Sequence, residues 1–211
     1  MRSRYYALTL CLLCCLLSCS RNRETESRLD SAESLMTEHP DKALSVLKTI
    51  DASRLHSEST QARYALLYTQ ALDKNYVDVA SDSLICSAVT YYDRNGSKQE
   101  RALAHYYYGC VCANMHEDSK AIESFVLAEN YAGQVADAYL QGLINSRIGI
   151  LYSNTQSYTE AMLRFQQAEI FFREAQSMRN TAMSLESQSY IEYLLGNYDS
   201  AKDKKSAARE I

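Results

Sequence analysis

The sequence predicts an all-α protein, an α-solenoid of antiparallel helix pairs, and three observations predict it. A single proline and six glycines in 211 residues leave little material for tight β-turns. No stretch sustains the period-2 alternation of a half-buried strand. Above all, small and large residues recur at a step of 40 positions along most of the chain. The hydrophobic share of 46% is ordinary for a chain that folds.

Residues 1–18 precede the fold and read as an export signal. Arg2 and Arg4 supply a positive start, and Tyr5 to Leu17 is an apolar run broken only by Thr9. That run is shorter than the roughly 20 residues a membrane-spanning helix needs. It ends in Leu16-Leu17-Ser18-Cys19, which resembles the lipobox of bacterial lipoproteins. The resemblance implies cleavage after Ser18, lipid attachment at Cys19 and a chain tethered to a membrane of the bacterial cell envelope, on its periplasmic or outer-membrane face. Cys11, Cys14 and Cys15 fall in the discarded segment and count as hydrophobes.

Losing Arg2 and Arg4 with no acid moves the formal net charge from −4 to −6. No cluster of Lys and Arg offsets it, which argues against nucleic acid as a partner. Residues 19–27, polar and charged, read as a lipidated tether.

From residue 28 to 211 the spacing predicts one repeat domain of about five helix pairs. Leu29, Ala32, Leu35 and Met36 form a helical stripe, and Pro40 stands where a helix would begin. Ala43, Leu47 and Ile50 continue the first unit. The step of 40 then links Thr69, Gly109, Gly149 and Ser189, all small, and likewise Ala62, Ala102, Gly142 and Ala182. It also links Ser81, Ala121, Ala161 and Ala201, then Ile85, Phe125, Phe165 and Lys205, then Ala88, Ala128, Ala168 and Ala208. Small columns allow two helices to approach to roughly 8 Å, and the Phe column fills the space beside that approach. Polar breaks at 74–76, 114–118, 154–157 and 196–197 mark turns within pairs. Asp93 to Ser97 and Gly133-Gln134 mark turns between pairs, the former with the Asn-Gly that a helix end favours. Lys205, with Lys202 and Lys204 beside it, gives the terminal repeat a polar face.

Ile148-Gly149-Ile150-Leu151-Tyr152 followed by Ala161 and Phe165 resembles the tetratricopeptide repeat, as does Tyr108-Gly109-Cys110-Val111-Cys112 followed by Ala121 and Phe125. His105 and Asn145 replace the family's Trp, the closing Pro is absent, and the period exceeds the family's usual length of about 34. Longer helices absorb the difference as about 1.7 turns. The resemblance implies a protein-binding solenoid with a concave groove.

Nothing in the sequence marks a catalytic centre or a cofactor site. His39, His56, His105 and His116 lack ligand spacing, and Glu123, Glu129 and Asp118 read as solvated. Cys110 and Cys112 are two apart on a helix and cannot grip one metal. Cys86 and Cys112 read as small buried hydrophobes, with a disulfide conceivable but no pairing deducible. No Gly-rich phosphate loop, paired carboxylates or nucleophile with a base is visible.

The stacked first helices place Tyr106, Tyr107, Asn114, Arg147, Asn154, Glu186, Tyr190 and Tyr193 where a groove would hold a partner. Three consecutive aromatics, Tyr106 to Tyr108, cannot all point inward from one helix. The expected function is a membrane-anchored scaffold that binds a protein or peptide without catalysis. One alternative is the sensor-like region of a longer signalling protein, resembling exported tetratricopeptide regions of some Bacteroidota regulators. Another is a glycan-binding lipoprotein, disfavoured because there is no Trp to stack a sugar.

Overall fold

The structure, a computed structural model, describes residues 23–211, and every regular element among them is helical. The chain divides into two compact units, one ending at Val77 and the other running from Asp78 to Ile211. The division falls inside a stretch that the 40-residue step counts as one repeat.

The first unit holds α1 (residues 23–35), α2 (Pro40–Lys48), a 3₁₀ turn (Ala52–Arg54) and α3 (Glu58–Lys74). Leu29, Ala32 and Met36 are buried, and Pro40 opens α2 at its start, where its missing N–H costs nothing. The stretch read as a tether is helical from residue 23, because Arg63 on α3 anchors it. The Arg63 guanidinium reaches Glu26 at 3.1 Å, Asp30 at 2.7 Å and also Glu33, acids that recur on one face of α1. Thr60 adds a hydroxyl donated to Glu26 at 2.7 Å.

The second unit holds α4 (Ser83–Asn95), α5 (Lys98–Asn114), α6 (Asp118–Gln134), α7 (Ala138–Asn154), α8 (Tyr158–Glu174), α9 (Met178–Leu194) and α10 (Tyr198–Arg209). Each helix packs on the next in the chain, the arrangement of an α-solenoid. From α5 onward a helix starts every 20 residues, so one pair spans the 40-residue step. The turns share one construction. His116, Ala136, Gln156, Gln176 and Gly196 all have positive φ, and Tyr76 ends α3 in the same way. At His116 the backbone N–H reaches the Ala113 carbonyl at 3.0 Å and that of Glu117 reaches Cys112 at 2.9 Å, the paired bonds of a Schellman motif. The same pair recurs at Gln156, Gln176 and Gly196.

Two expectations about turns change. Gly133 lies within α6, and the left-handed residue is Ala136. Gly96 has φ −81° and serves close approach instead: a Cβ there would stand 2.8 Å from the Tyr92 carbonyl oxygen. The turn at Ala175 to Ser177, with neither Gly nor Pro, had no signal of its own.

Within a pair the small and large columns do meet. A Cβ on Gly109 would stand 2.6 Å from the Phe125 ring, and one on Gly149 would stand 2.8 Å from Phe165. Gly142 faces Phe172 with the same closeness, 2.6 Å. Ala121, Phe125 and Ala161 have no exposed surface. In the last pair no ring fills the equivalent place: Ser189 donates its hydroxyl to the Ala201 carbonyl at 2.6 Å, and Lys205 replaces the Phe.

Between successive pairs runs a second repeated device, a buried polar clasp. Asn145 donates its amide to Glu129 at 3.2 Å on the preceding helix and accepts from Arg164 at 2.8 Å on the following one. Gln188 repeats this, donating to Glu169 at 2.8 Å and accepting from Lys204 at 2.8 Å. Glu129 and Glu169, like Arg164 and Lys204, lie 40 residues apart. Asn145 and Gln188 are 0% and 1% exposed, so an unmatched amide in either place would be costly. Glu129, expected on a solvated face, is therefore a joint residue, and so is Arg164.

Candidate functional site

Three residues expected to face a partner come together, and they do so at the last helix pair. Glu186, Tyr190 and Tyr193 on α9 line a cleft of about 480 Å³ with Ser189, and α10 contributes Tyr198, Ala201, Lys202 and Lys205. The cleft exists because the Phe column ends there: Ser189 and Lys205 occupy the places of a Gly and a Phe, and lysine extends toward water instead of filling the joint. Tyr190, Tyr193 and Tyr198 are 58%, 59% and 65% exposed. Tyr193 and Tyr198 stand edge to face with ring centroids 5.6 Å apart. The chemistry offered is aromatic contact area flanked by Lys202 and Lys205 on one helix and Glu186 on the other.

The remaining expected residues do not line this cleft. Asn114 and Asn154 are exposed at the ends of α5 and α7, and Arg147 is half-buried on α7. Tyr106 and Tyr107 are each only 3% exposed, so neither offers the open side chain that a groove requires. Tyr106 packs against Phe125 at 6.0 Å and edge-on to Tyr107 at 4.9 Å. Helix α5 is contacted by α4, α6 and α7, and both tyrosines are buried among them. Cys19, the expected lipid attachment, lies outside the described residues.

The contribution of α10 was missing from the sequence-based set. A signal for it existed: Lys205 is the single bulky-column position that is not apolar, and Tyr198 precedes it by two helical turns.

One cluster, with His105 and Ser124 buried and Asp93 exposed at its edge, has the residue types of a hydrolytic triad and the wrong arrangement. His105 Nε2 contacts Asp93 at 2.9 Å, and its Nδ1 lies 3.3 Å from the Ser124 hydroxyl. That hydroxyl donates to the His105 backbone carbonyl at 2.8 Å, so its proton is directed away from the ring. Ser124 is 3% exposed, closed to a substrate. The cluster occupies the joint preceding the Asn145 clasp and acts as the same kind of fastening. Among the described residues no group of three or more His, Cys, Asp or Glu is placed to hold a metal ion, and no helix is long and apolar enough to cross a membrane.

No protein-family model and no curated protein matches the chain. Among solved structures it is similar to the crystal structure of BtubC (BKLC) from P. vanneervenii, with a TM-score of 0.62 and 12% identity over 89% of this chain and 74% of that one. At that identity the likeness concerns the fold alone: an α-helical solenoid built of successive antiparallel helices.

Proposed function

We propose that this chain is a non-catalytic scaffold, lipid-anchored through Cys19 to the cell envelope, that captures a segment of a partner protein in the α9–α10 cleft. The observation that carries the reading is the cluster of Tyr190, Tyr193 and Tyr198, three exposed aromatics around one recess. Exposed Tyr at this density suits recognition, since each ring offers a large contact with two torsions to freeze and a hydroxyl for polar partners. Lys202 and Lys205 beside the rings favour a segment in which an apolar side chain neighbours a carboxylate. The Leu16-Leu17-Ser18-Cys19 resemblance to a lipobox supports membrane attachment through a lipid on Cys19.

The test is capture from detergent-solubilised membranes by the full chain, with partners identified by mass spectrometry and binding repeated with the purified partner. The double substitution Tyr190→Ala/Tyr193→Ala is expected to abolish capture with the melting temperature unchanged. Capture that survives this pair places binding elsewhere. Cys19→Ala tests the anchor separately: the protein should leave the membrane fraction while retaining partner binding in solution.

A further inference from the structure

Helices α4 and α5 run antiparallel through the short Gly96-Ser97 connection, and their facing register is marked by Asp93 and His105, in contact at 2.9 Å. Seven residues back along α4 from Asp93 stands Cys86, and seven residues onward along α5 from His105 stands Cys112. Seven residues make two helical turns to within about 20°. In an antiparallel pair, the faces that meet at Asp93 and His105 therefore meet again at Cys86 and Cys112. Side-chain contacts agree with this register. Tyr108, one turn before Cys112 on α5, lies close enough to act on both thiols, and so does Asp82, one turn before Cys86 on α4. Cys110 is buried but turned about 200° from Cys112 around the helix, so it cannot take the same place.

We propose that Cys86 and Cys112, both free thiols in this structure, are a latent disulfide pair that staples α4 to α5 on oxidation. Cys86 is half-buried and within reach of an external disulfide, whereas Cys112 has no exposed surface and is reached only through Cys86. The order of events follows. The Cys86 thiolate attacks the disulfide of a small-molecule or protein oxidant, forming a mixed disulfide and releasing one thiol. The Cys112 thiolate then attacks the Cys86 sulfur, closing the internal S–S bond and releasing the second thiol. The pair loses two protons and two electrons, and the oxidant's disulfide leaves as two thiols. The new bond closes the chain between α4 and α5 into a loop and narrows the unfolded ensemble. The inference is independent of the α9–α10 cleft.

The full chain, kept native, is incubated with oxidised glutathione, quenched by alkylation and peptide-mapped without reduction. The expected product is a linked peptide pair joining Cys86 to Cys112, lighter by two hydrogen atoms, with a melting temperature that rises on oxidation and returns on reduction. Cys110→Ala should form the same link. Cys112→Ala should stop at the glutathione adduct of Cys86 and show no rise in melting temperature. A Cys86–Cys110 link, or a native chain that halts at the Cys86 adduct with Cys112 still alkylatable after unfolding, overturns the proposal.

Discussion

The Arg164 guanidinium donates to Asn145 Oδ1 at 2.8 Å and to Glu129 Oε1 at 2.7 Å, so a fully buried amide is held between the two charges that join one helix pair to the next. The next joint does the same work from a different helical position. Gln188 stands one turn beyond the counterpart of Asn145, and that counterpart is Leu185. A transplant test follows. Asn145→Leu alone removes the amide from between the half-buried Glu129 and Arg164 and should cost about 1–3 kcal/mol. Asn145→Leu/Ile148→Gln reproduces the chemistry of the next joint and should recover a large part of that loss. Chemical denaturation of both single variants and the double variant gives the coupling energy, which simple additivity would set near zero.

Gly149 and Phe165 give the second prediction. A methyl group on Gly149 would stand 2.8 Å from the ring, inside contact distance, and the ring has 4% of its surface exposed and little room to retreat. Gly149→Ala should lower stability by about 1–3 kcal/mol despite the better helix propensity of alanine. Ala161→Leu, at a position without exposed surface on the facing helix, should cost a similar amount. Circular dichroism melts check both, and an unchanged or higher midpoint for Gly149→Ala contradicts the close contact.

The left-handed turns are open to improvement. Gln156 and Gln176 have φ of 61° and 55°, a conformation that costs an L-residue about 1–2 kcal/mol. Glycine removes that strain and adds about 0.5–1 kcal/mol of unfolded-chain entropy. Gln156→Gly and Gln176→Gly should each raise stability by roughly 0.5–1 kcal/mol. Gly196→Ala should lower it by a similar amount, although a Cβ there would touch nothing within 4 Å. Denaturant midpoints at constant m-value are the measurement.

Tyr106 and Tyr190 separate packing from binding. Tyr106 is 3% exposed, so Tyr106→Ala should cost about 3–5 kcal/mol of stability through lost core volume. Tyr190, 58% exposed, should cost little stability when truncated and should weaken capture. Melting and binding measured on the same two variants should move in opposite ways, and a Tyr106→Ala chain that melts normally but fails to bind would restore the groove expected from sequence.

Burial and the neighbouring Asp82 raise the Cys86 thiol above its ordinary range. The reactive thiolate is accordingly scarcer at neutral pH than for a free cysteine, and it accumulates only as pH climbs past the ordinary thiol value toward the raised one. Alkylation of Cys86 by iodoacetamide in the native chain should be slow at neutral pH and accelerate at higher pH than for the same residue in urea. Coincident pH profiles in the two states would show that its surroundings leave the thiol unchanged.

The readable features of this chain were those written as period and volume. The step of 40, the columns of Gly, Ala and Phe, and the start of α2 at Pro40 emerge from residue size and spacing, because close helix packing demands small residues at fixed intervals. The same logic gave Tyr190 and Tyr193 as surface residues. It failed for the tether, where Glu26 read as a solvated charge until Arg63 is seen opposite it. It failed also for the turn at Gln176, since a left-handed residue need not be glycine when the Schellman bonds hold it.

By itself, the sequence determined the helical class, the length of the repeat and the identity of the packed columns, all of which are properties of a residue's size and its distance along the chain. Only the tertiary structure decided which polar residues are buried fastenings and which are free to meet a partner. Tyr106 and Tyr190 differ little as side chains, yet one is buried against Phe125 of α6 and the other lines the cleft left open by Lys205. Exposure depends on what the neighbouring helices cover, and that is settled by contacts between residues far apart in the chain.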